Sequence, residues 1–263
     1  MKSESQRLAV ISDVHGNADA LRAAESVLAQ HTYDKLIVLG DLLTYGGQPH
    51  EVLQGIDRLA GQFDTVFIRG NHDQFYFDLD KGKQPFYPKT PEFVRESVRW
   101  THNKLAGMRL ADRYDWKDSF GAGPVFIAHA NPYEYGDWSY VADADGWQRA
   151  ANTLRDRGYL AGVFGHSHRS FMKMLSPTNE VTNMPADEWI APANGEILLM
   201  NSGAVGQSRG TGLSFLDISI HGATIKAHLH QLSVDMGPSK GIIAQSGMSS
   251  TTQEKLISYL EKT

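Results

Sequence analysis

Short apolar runs alternate with amphipathic stretches along the first third of the chain. Leu8-Ala9-Val10-Ile11, Leu36-Ile37-Val38-Leu39 and Thr65-Val66-Phe67-Ile68 each have the length and character of a buried strand. After the first run, Asn17 is a candidate N-cap, and a helix is expected from there to about Gln30 with Leu21, Ala24 and Leu28 on one face. A second helix is expected from Pro49, whose fixed φ suits a first turn, with Val52, Leu53, Ile56 and Leu59 at helical spacing. Strand and helix in short alternation predict an α/β protein with parallel pairing at its start.

Two further apolar runs, Val125 to Ala128 and Leu160 to Phe164, read as buried strands. The texture then changes. Ile197 to Met200, Leu213 to Ile218 and Ala223 to Leu229 are strand-like with little room for helices between them, and the last alternates apolar with polar residues as a half-buried antiparallel strand does. The Gly/Ser-rich stretch from Gly237 to Ser250 reads as a linker. It leads to a helix expected to be capped by Thr251 with Glu254 three residues on, and Leu256, Ile257 and Leu260 give it a narrow apolar face. The expected organisation is one domain over residues 1–236, then a linker and helix over 237–263.

Composition removes several classes of function. The 263 residues carry 25 Lys+Arg against 30 Asp+Glu, a net charge of -5, which argues against stable nucleic-acid binding. There is no Cys, so thiolate metal sites, disulfides and Cys nucleophiles are excluded together, and a metal would have to use His, Asp, Glu or Asn. The polar start has no signal-peptide core and no apolar run is long enough for a bilayer, so the expectation is a cytoplasmic protein with no membrane partner.

The candidate chemistry lies where the apolar runs end. They end, in order, at Asp13 and His15, at Asp41, at Asn71, at His129, and at His166 and His168. In α/β sheets the loops beyond the carboxyl ends of the strands converge, so these side chains are candidates for one centre. Carboxylates, an amide oxygen and imidazoles suit first-row divalent metals such as Mn, Fe, Zn, Ni or Co, and seven side chains suit two ions better than one. Taken singly, each has a plainer reading: Asp13 or Asp41 as a turn residue, His129 as a core histidine, Gly70-Asn71 as a turn. His228 and His230 repeat the spacing of His166 and His168 but sit on the polar face of an alternating strand, so they are expected to face solvent.

Asp13-Val14-His15-Gly16-Asn17, Gly40-Asp41, Gly70-Asn71-His72-Asp73, His129 after a strand, and Gly165-His166-Ser167-His168 resemble the ordered motifs of the calcineurin-like metallophosphoesterases, most of all their compact bacterial phosphodiesterase branch. The resemblance covers roughly the first 220 residues. It implies a four-layer α-β-β-α sandwich of two mixed β-sheets flanked by helices. It implies that Asp13, His15 and His168 hold one divalent ion, that Asn71, His129 and His166 hold a second, and that Asp41 bridges them. His72 would face the scissile phosphate, with Asp73 orienting its ring.

The implied activity is hydrolysis of a phosphodiester or phosphomonoester of a small molecule or nucleotide by hydroxide shared between the ions. Diadenosine polyphosphate hydrolysis, protein phosphatase-like activity and a non-catalytic binding scaffold are the alternatives. Leu42-Leu43-Thr44-Tyr45-Gly46 replaces the Asp-Arg-Gly of the Ser/Thr phosphatases, which weighs against that branch. The loop Asn201 to Gly206 resembles a late loop of the compact branch, with Ser202 and Ala204 where Pro and Ser are usual. The Gly206 to Gly212 stretch precedes a strand and not a helix, so it reads as a turn, from which Arg209 could reach substrate. Aromatic residues cluster at Phe75 to Tyr87 and Tyr133 to Tyr140, either as packing of long loops or as a stacking wall for a nucleobase. The final helix would dock on its own domain or on a second copy in a homo-oligomer.

Overall fold

The computed structural model describes residues 5–261. The polar start over residues 1–4 lies outside them. The chain forms β1 (Ser5–Ile11), α1 (Ala18–Leu28), β2 (Lys35–Val38), α2 (Pro49–Gln62), β3 (Thr65–Ile68), α3 (Asn71–Asp80), α4 (Glu92–Lys104), β4 (Trp116–Lys117), β5 (Ser119–Ala122) and β6 (Val125–Ala128). It continues through α5 (Ala144–Asp156), β7 (Ala161–Phe164), β8 (Phe171–Leu175), β9 (Val181–Asn183), β10 (Trp189–Ile190), β11 (Ile197–Asn201), β12 (Leu213–His221), β13 (Thr224–Leu232), α6 (Gly237–Ala244) and α7 (Ser250–Leu260).

Two mixed sheets result. The seven-stranded one has the order β10-β13-β12-β1-β2-β3-β4, and the six-stranded one β5-β6-β7-β11-β8-β9. β1, β2, β3 and β4 run parallel, as do β6, β7 and β11. Period-two alternation divides the core. Leu8, Val10, Ile37 and Leu39 point inward and meet Ile127, Val163, Leu198 and Met200 of the other sheet. Ala9, Ile11, Leu36 and Val38 point outward and are covered by α1, α2 and the C-terminal helices. On the far side α5 packs Ala150, Ala151 and Leu154 over Phe126, Phe164 and Leu199. The expected four-layer α-β-β-α sandwich is what forms.

Local signals account for the helix starts. The Asn17 side chain accepts from the backbone N–H of Ala20 at 3.1 Å, and Pro49 opens α2. α3 was not anticipated. Its run of Phe75, Tyr76 and Phe77 has no amphipathic period because all three are buried.

The expected linker is not one. Residues 237–244 are α6, and Met236, Ile243, Met248, Leu256 and Leu260 share a single core with α1 and α2. The Gly and Ser content misled because α6 buries only Ser239 and Ile243, too few positions to produce a visible stripe. The cap of α7 also differs. Ser249 takes that role, its Oγ accepting from the Thr252 N–H, while Thr251 is exposed. Glu96 of α4 accepts from the N–H and Oγ–H of Ser249, both at 2.6 Å, and so ties the α7 cap to the domain.

Candidate metal centre

The loops after β1, β2, β3, β6 and β7 meet at one end of the sandwich. Their turns need left-handed backbone, and residues other than glycine supply it: Asp13, His15, Asp41, Thr44, Tyr45, His166 and His168 all have φ between 47° and 77°. Such conformations are sparsely populated for L-residues and persist where the surroundings over-determine them. Gly70 is required by close approach, since a Cβ there would lie 2.1 Å from Oδ1 of Asp41.

Two buried groups emerge. In the first, Nε2 of His168 lies 3.2 Å and Nε2 of His15 lies 3.7 Å from Oδ1 of Asp13. The second comprises Asp41, His129 and His166. Within each group one ligand atom per residue lies within 4.8 Å of the others. Oδ2 of Asp41 is 3.4 Å from Nε2 of His129 and 3.8 Å from Nε2 of His15, so one carboxylate oxygen faces both groups. Asn71 Oδ1 is 3.3 Å from Nε2 of His129. All seven sequence-predicted positions are thus brought together. His228 and His230 stand apart, with His228 on Asp187 at 2.7 Å and His230 stacked on Phe215 at 4.6 Å. The His228 side chain is 39% exposed, as its place on the polar face predicts, whereas that of His230 is 14% exposed, partly covered by His31.

The proton positions fit a cation. A backbone carbonyl only accepts, so an imidazole nitrogen beside one must carry the hydrogen. Nδ1 of His15, His129 and His168 donate to the carbonyls of Leu43, Leu39 and Gln207 at 3.1, 2.6 and 2.7 Å. Nε2 of His166 donates to the Trp138 carbonyl at 3.0 Å. Each ring therefore turns its other nitrogen toward the centre, the arrangement that orients a metal-binding histidine. Nε2 of His15 and Nε2 of His168 are 3.1 Å apart, both turned toward the same point.

The carboxylates are split the same way. Oδ2 of Asp13 accepts from Ser12 Oγ and the His166 N–H at 2.6 and 3.0 Å, whereas Oδ1 is buried with no hydrogen-bond partner among the described residues. Asp41 fixes Oδ1 on the His72 N–H at 2.8 Å and leaves Oδ2 to the imidazoles. An orphaned carboxylate oxygen among converging imidazole nitrogens suits a divalent ion.

Charge follows from burial and partners. Burial opposes ionisation of Asp13 and Asp41, but His168 and His129 respectively hold both carboxyls below the ordinary range. Burial keeps His15 well below its ordinary value, lowers His72 to about 4 and lowers His166 to about 3, so these rings are neutral. Burial acts the same way on His129, but Asp41 and Asp13 prevail and raise it to about 10. The pair of carboxylates thus demands positive charge at this point, which a proton or a cation supplies.

Asp73 does not orient His72. Its carboxylate accepts from the backbone N–H groups of Gly70, Asp41 and Leu42 at 2.8, 2.8 and 3.2 Å and so fixes the turn that presents Asp41. Burial and the Asp41 charge push Asp73 up, to about 7, against those donors. His72 instead meets the Tyr45 hydroxyl, 3.2 Å from its Nε2, and its Nδ1 is buried without a partner among the described residues.

Tyr45 is a neighbour that the sequence reading passed over. Its ring also packs on His15 at 4.6 Å. The only sequence signal was the Thr44-Tyr45-Gly46 departure. Tyr45 is seated from behind: its N–H donates to Ser97 Oγ of α4 at 2.8 Å, and a small cavity beside it and His15 is closed by Ile243, Leu256 and Leu260 of α6 and α7. Ser239 of α6 donates to Asn17 or Asp19 at 3.1 and 2.7 Å.

The late loop serves as a buttress. The N–H groups of Val205 and Gly206 donate to the carbonyls of Ser12 and Asp13, and Asn201 Nδ2 donates to that of Gly165 at 2.7 Å. Of the aromatics, Phe75, Tyr76, Phe77 and Phe86 are core, while Tyr140 is half exposed and stacks on His166 at 4.5 Å.

Paired Asp/His groups at the strand ends of a mixed-sheet sandwich are an arrangement that a metal-dependent phosphoesterase would use. The chain belongs to the calcineurin-like phosphoesterase family, whose pattern it matches over residues 6–170, a span that contains every position of both groups. An uncharacterised protein of Methanocaldococcus jannaschii is 28% identical over 207 residues, which is 77% of each chain. A solved metallophosphoesterase from Sphaerobacter thermophilus superposes with a TM-score of 0.70 at 20% identity, covering 97% of this chain and 100% of its own. A hypothetical protein of Pyrococcus horikoshii gives 0.72 at 16% identity over 95% and 97%. At these identities the two solved structures bear on the fold alone.

Proposed function

We propose that the chain is a dinuclear phosphoesterase that hydrolyses a phosphodiester or phosphomonoester of a small molecule or nucleotide. The observation that carries this is Oδ2 of Asp41, one oxygen facing both groups. Asp13, His15 and His168 would hold one divalent ion, Asn71, His129 and His166 the other, and Asp41 both. Their O/N donor set suits Mn, Fe, Zn, Ni or Co. Two such ions supply Lewis acidity and a water acidified towards neutral pH.

The chain's own residues do the rest. The four carbonyl-bound imidazoles hold their tautomers without rearrangement. Asp73 holds the Asp41 turn. His72, neutral and in contact with Tyr45, stands at the centre as a group that would offer a ring N–H hydrogen bond to the departing oxygen.

Elemental analysis and turnover of a chromogenic phosphodiester, with and without chelator, test the reading. About two ions per chain and chelator-sensitive turnover are expected. His72→Ala should cut turnover by about a hundredfold or more with metal content unchanged. Loss of metal in that variant would refute the role given to His72.

A further inference from the structure

Six arginines of the chain are at least partly buried, and five have obvious partners. Arg7, Arg69 and Arg113 pair with carboxylates, and Arg95 and Arg155 donate to backbone carbonyls. Arg209 has neither among the described residues. Among the described residues its only guanidinium hydrogen bond is a long one, 3.4 Å to the Tyr140 hydroxyl. Withdrawing a guanidinium from water without a counter-charge is unfavourable unless an anion arrives to complete it.

Its position is fixed by the metal-centre loops. The Arg209 N–H donates to the His168 carbonyl at 3.0 Å, two residues after Gln207, whose carbonyl holds the His168 ring. The guanidinium interacts electrostatically with Tyr140, Tyr45 and Asp13. These lie on different sides of the centre: Tyr140 stacks on His166, Tyr45 packs on His15, and Asp13 faces His168. Arg209 therefore lies beside the His166 flank of the centre, next to Tyr140 and within the electrostatic reach of Tyr45 and Asp13.

We propose that Arg209, steadied by Tyr140, is a substrate-binding residue that takes a phosphoryl oxygen of the ester entering the centre. The guanidinium fork matches two oxygens of a phosphate, which an ammonium does not. This rests on the phosphoesterase reading of the site, and it adds a fixed cation that selects anionic esters.

The test is binding of inorganic phosphate to the Mn-loaded full chain by titration calorimetry, with metal content measured alongside. Arg209→Gln and Arg209→Met should each weaken phosphate binding by about tenfold or more while keeping the wild-type metal content. Arg209→Lys should fall between them and the wild type. For the chromogenic ester, KM should rise more than kcat falls. Unchanged phosphate affinity in both neutral variants would overturn the proposal. So would loss of metal from both, since Arg209 would then be shaping the His168 loop. Arg209-dependent phosphate binding by a protein that hydrolyses no ester would sink the hydrolase reading alone. Turnover with Arg209-independent phosphate binding would sink this proposal alone.

Discussion

Asp41→Asn is the most informative single change. The amide oxygen would keep the His72 N–H bond that Oδ1 accepts at 2.8 Å, so the turn is preserved. The amide NH2 would then occupy the place of Oδ2, facing His129 and His15 at 3.4 and 3.8 Å. A unit charge about 4 Å away contributes roughly 4 kcal/mol at an effective dielectric near 20. Losing it, partly offset by solvent, should weaken cation binding at both positions by about two to three decades.

At a concentration of about 100 Kd for each of two sites, added metal stabilises the wild type by about 5.4 kcal/mol, whereas a variant hundredfold weaker at both gains about 0.8 kcal/mol. For a chain of this size that is a rise in Tm of about 10–20 °C against about 2–3 °C. Thermal unfolding with and without Mn, paired with elemental analysis, reads both. A variant that keeps two ions and the full rise in Tm would refute the shared-oxygen reasoning.

Metal uptake should release about one proton per chain near pH 8, because the carboxylates hold His129 protonated up to about 10. A pH-stat titration yielding none would contradict this. The same raised value makes the metal-free fold lose stability as pH rises from about 6.5 towards 10, while the lowered Asp13 and Asp41 make it lose stability again below about 4. Urea midpoints across that range should trace a dome. Tyr45→Phe keeps the ring on His15 but removes the hydroxyl beside His72, so turnover should drop by about tenfold with metal content intact. Leu256→Ala, at a position 1% exposed, should cost about 2–5 kcal/mol by chemical denaturation, whereas a helix tethered by a linker would lose almost nothing.

The candidate ligand positions were legible because they follow the ends of apolar runs, a pattern that survives in one dimension. Contacts made across the chain were not. Asp73 stands beside His72 in sequence, yet its carboxylate turns to backbone 31 and 32 residues away. Tyr45 reads as an ordinary turn residue until its φ of 68° and the hydroxyl contact with His72 are seen. The α6 segment failed for a different reason. Only two of its eight residues are buried, so composition outweighed periodicity. His228 and His230 were correctly separated from His166 and His168, since an alternating strand offers no convergence of loops.

The helices behind Tyr45 give the centre a wall supplied by the far end of the chain. Every candidate ligand position lies at or before residue 168, whereas α6 and α7 begin at Gly237 and Ser250. Ile243, Leu256 and Leu260 nevertheless line the small cavity beside His15 and Tyr45. Changes in a segment remote in sequence are therefore transmitted directly to the flank of the centre.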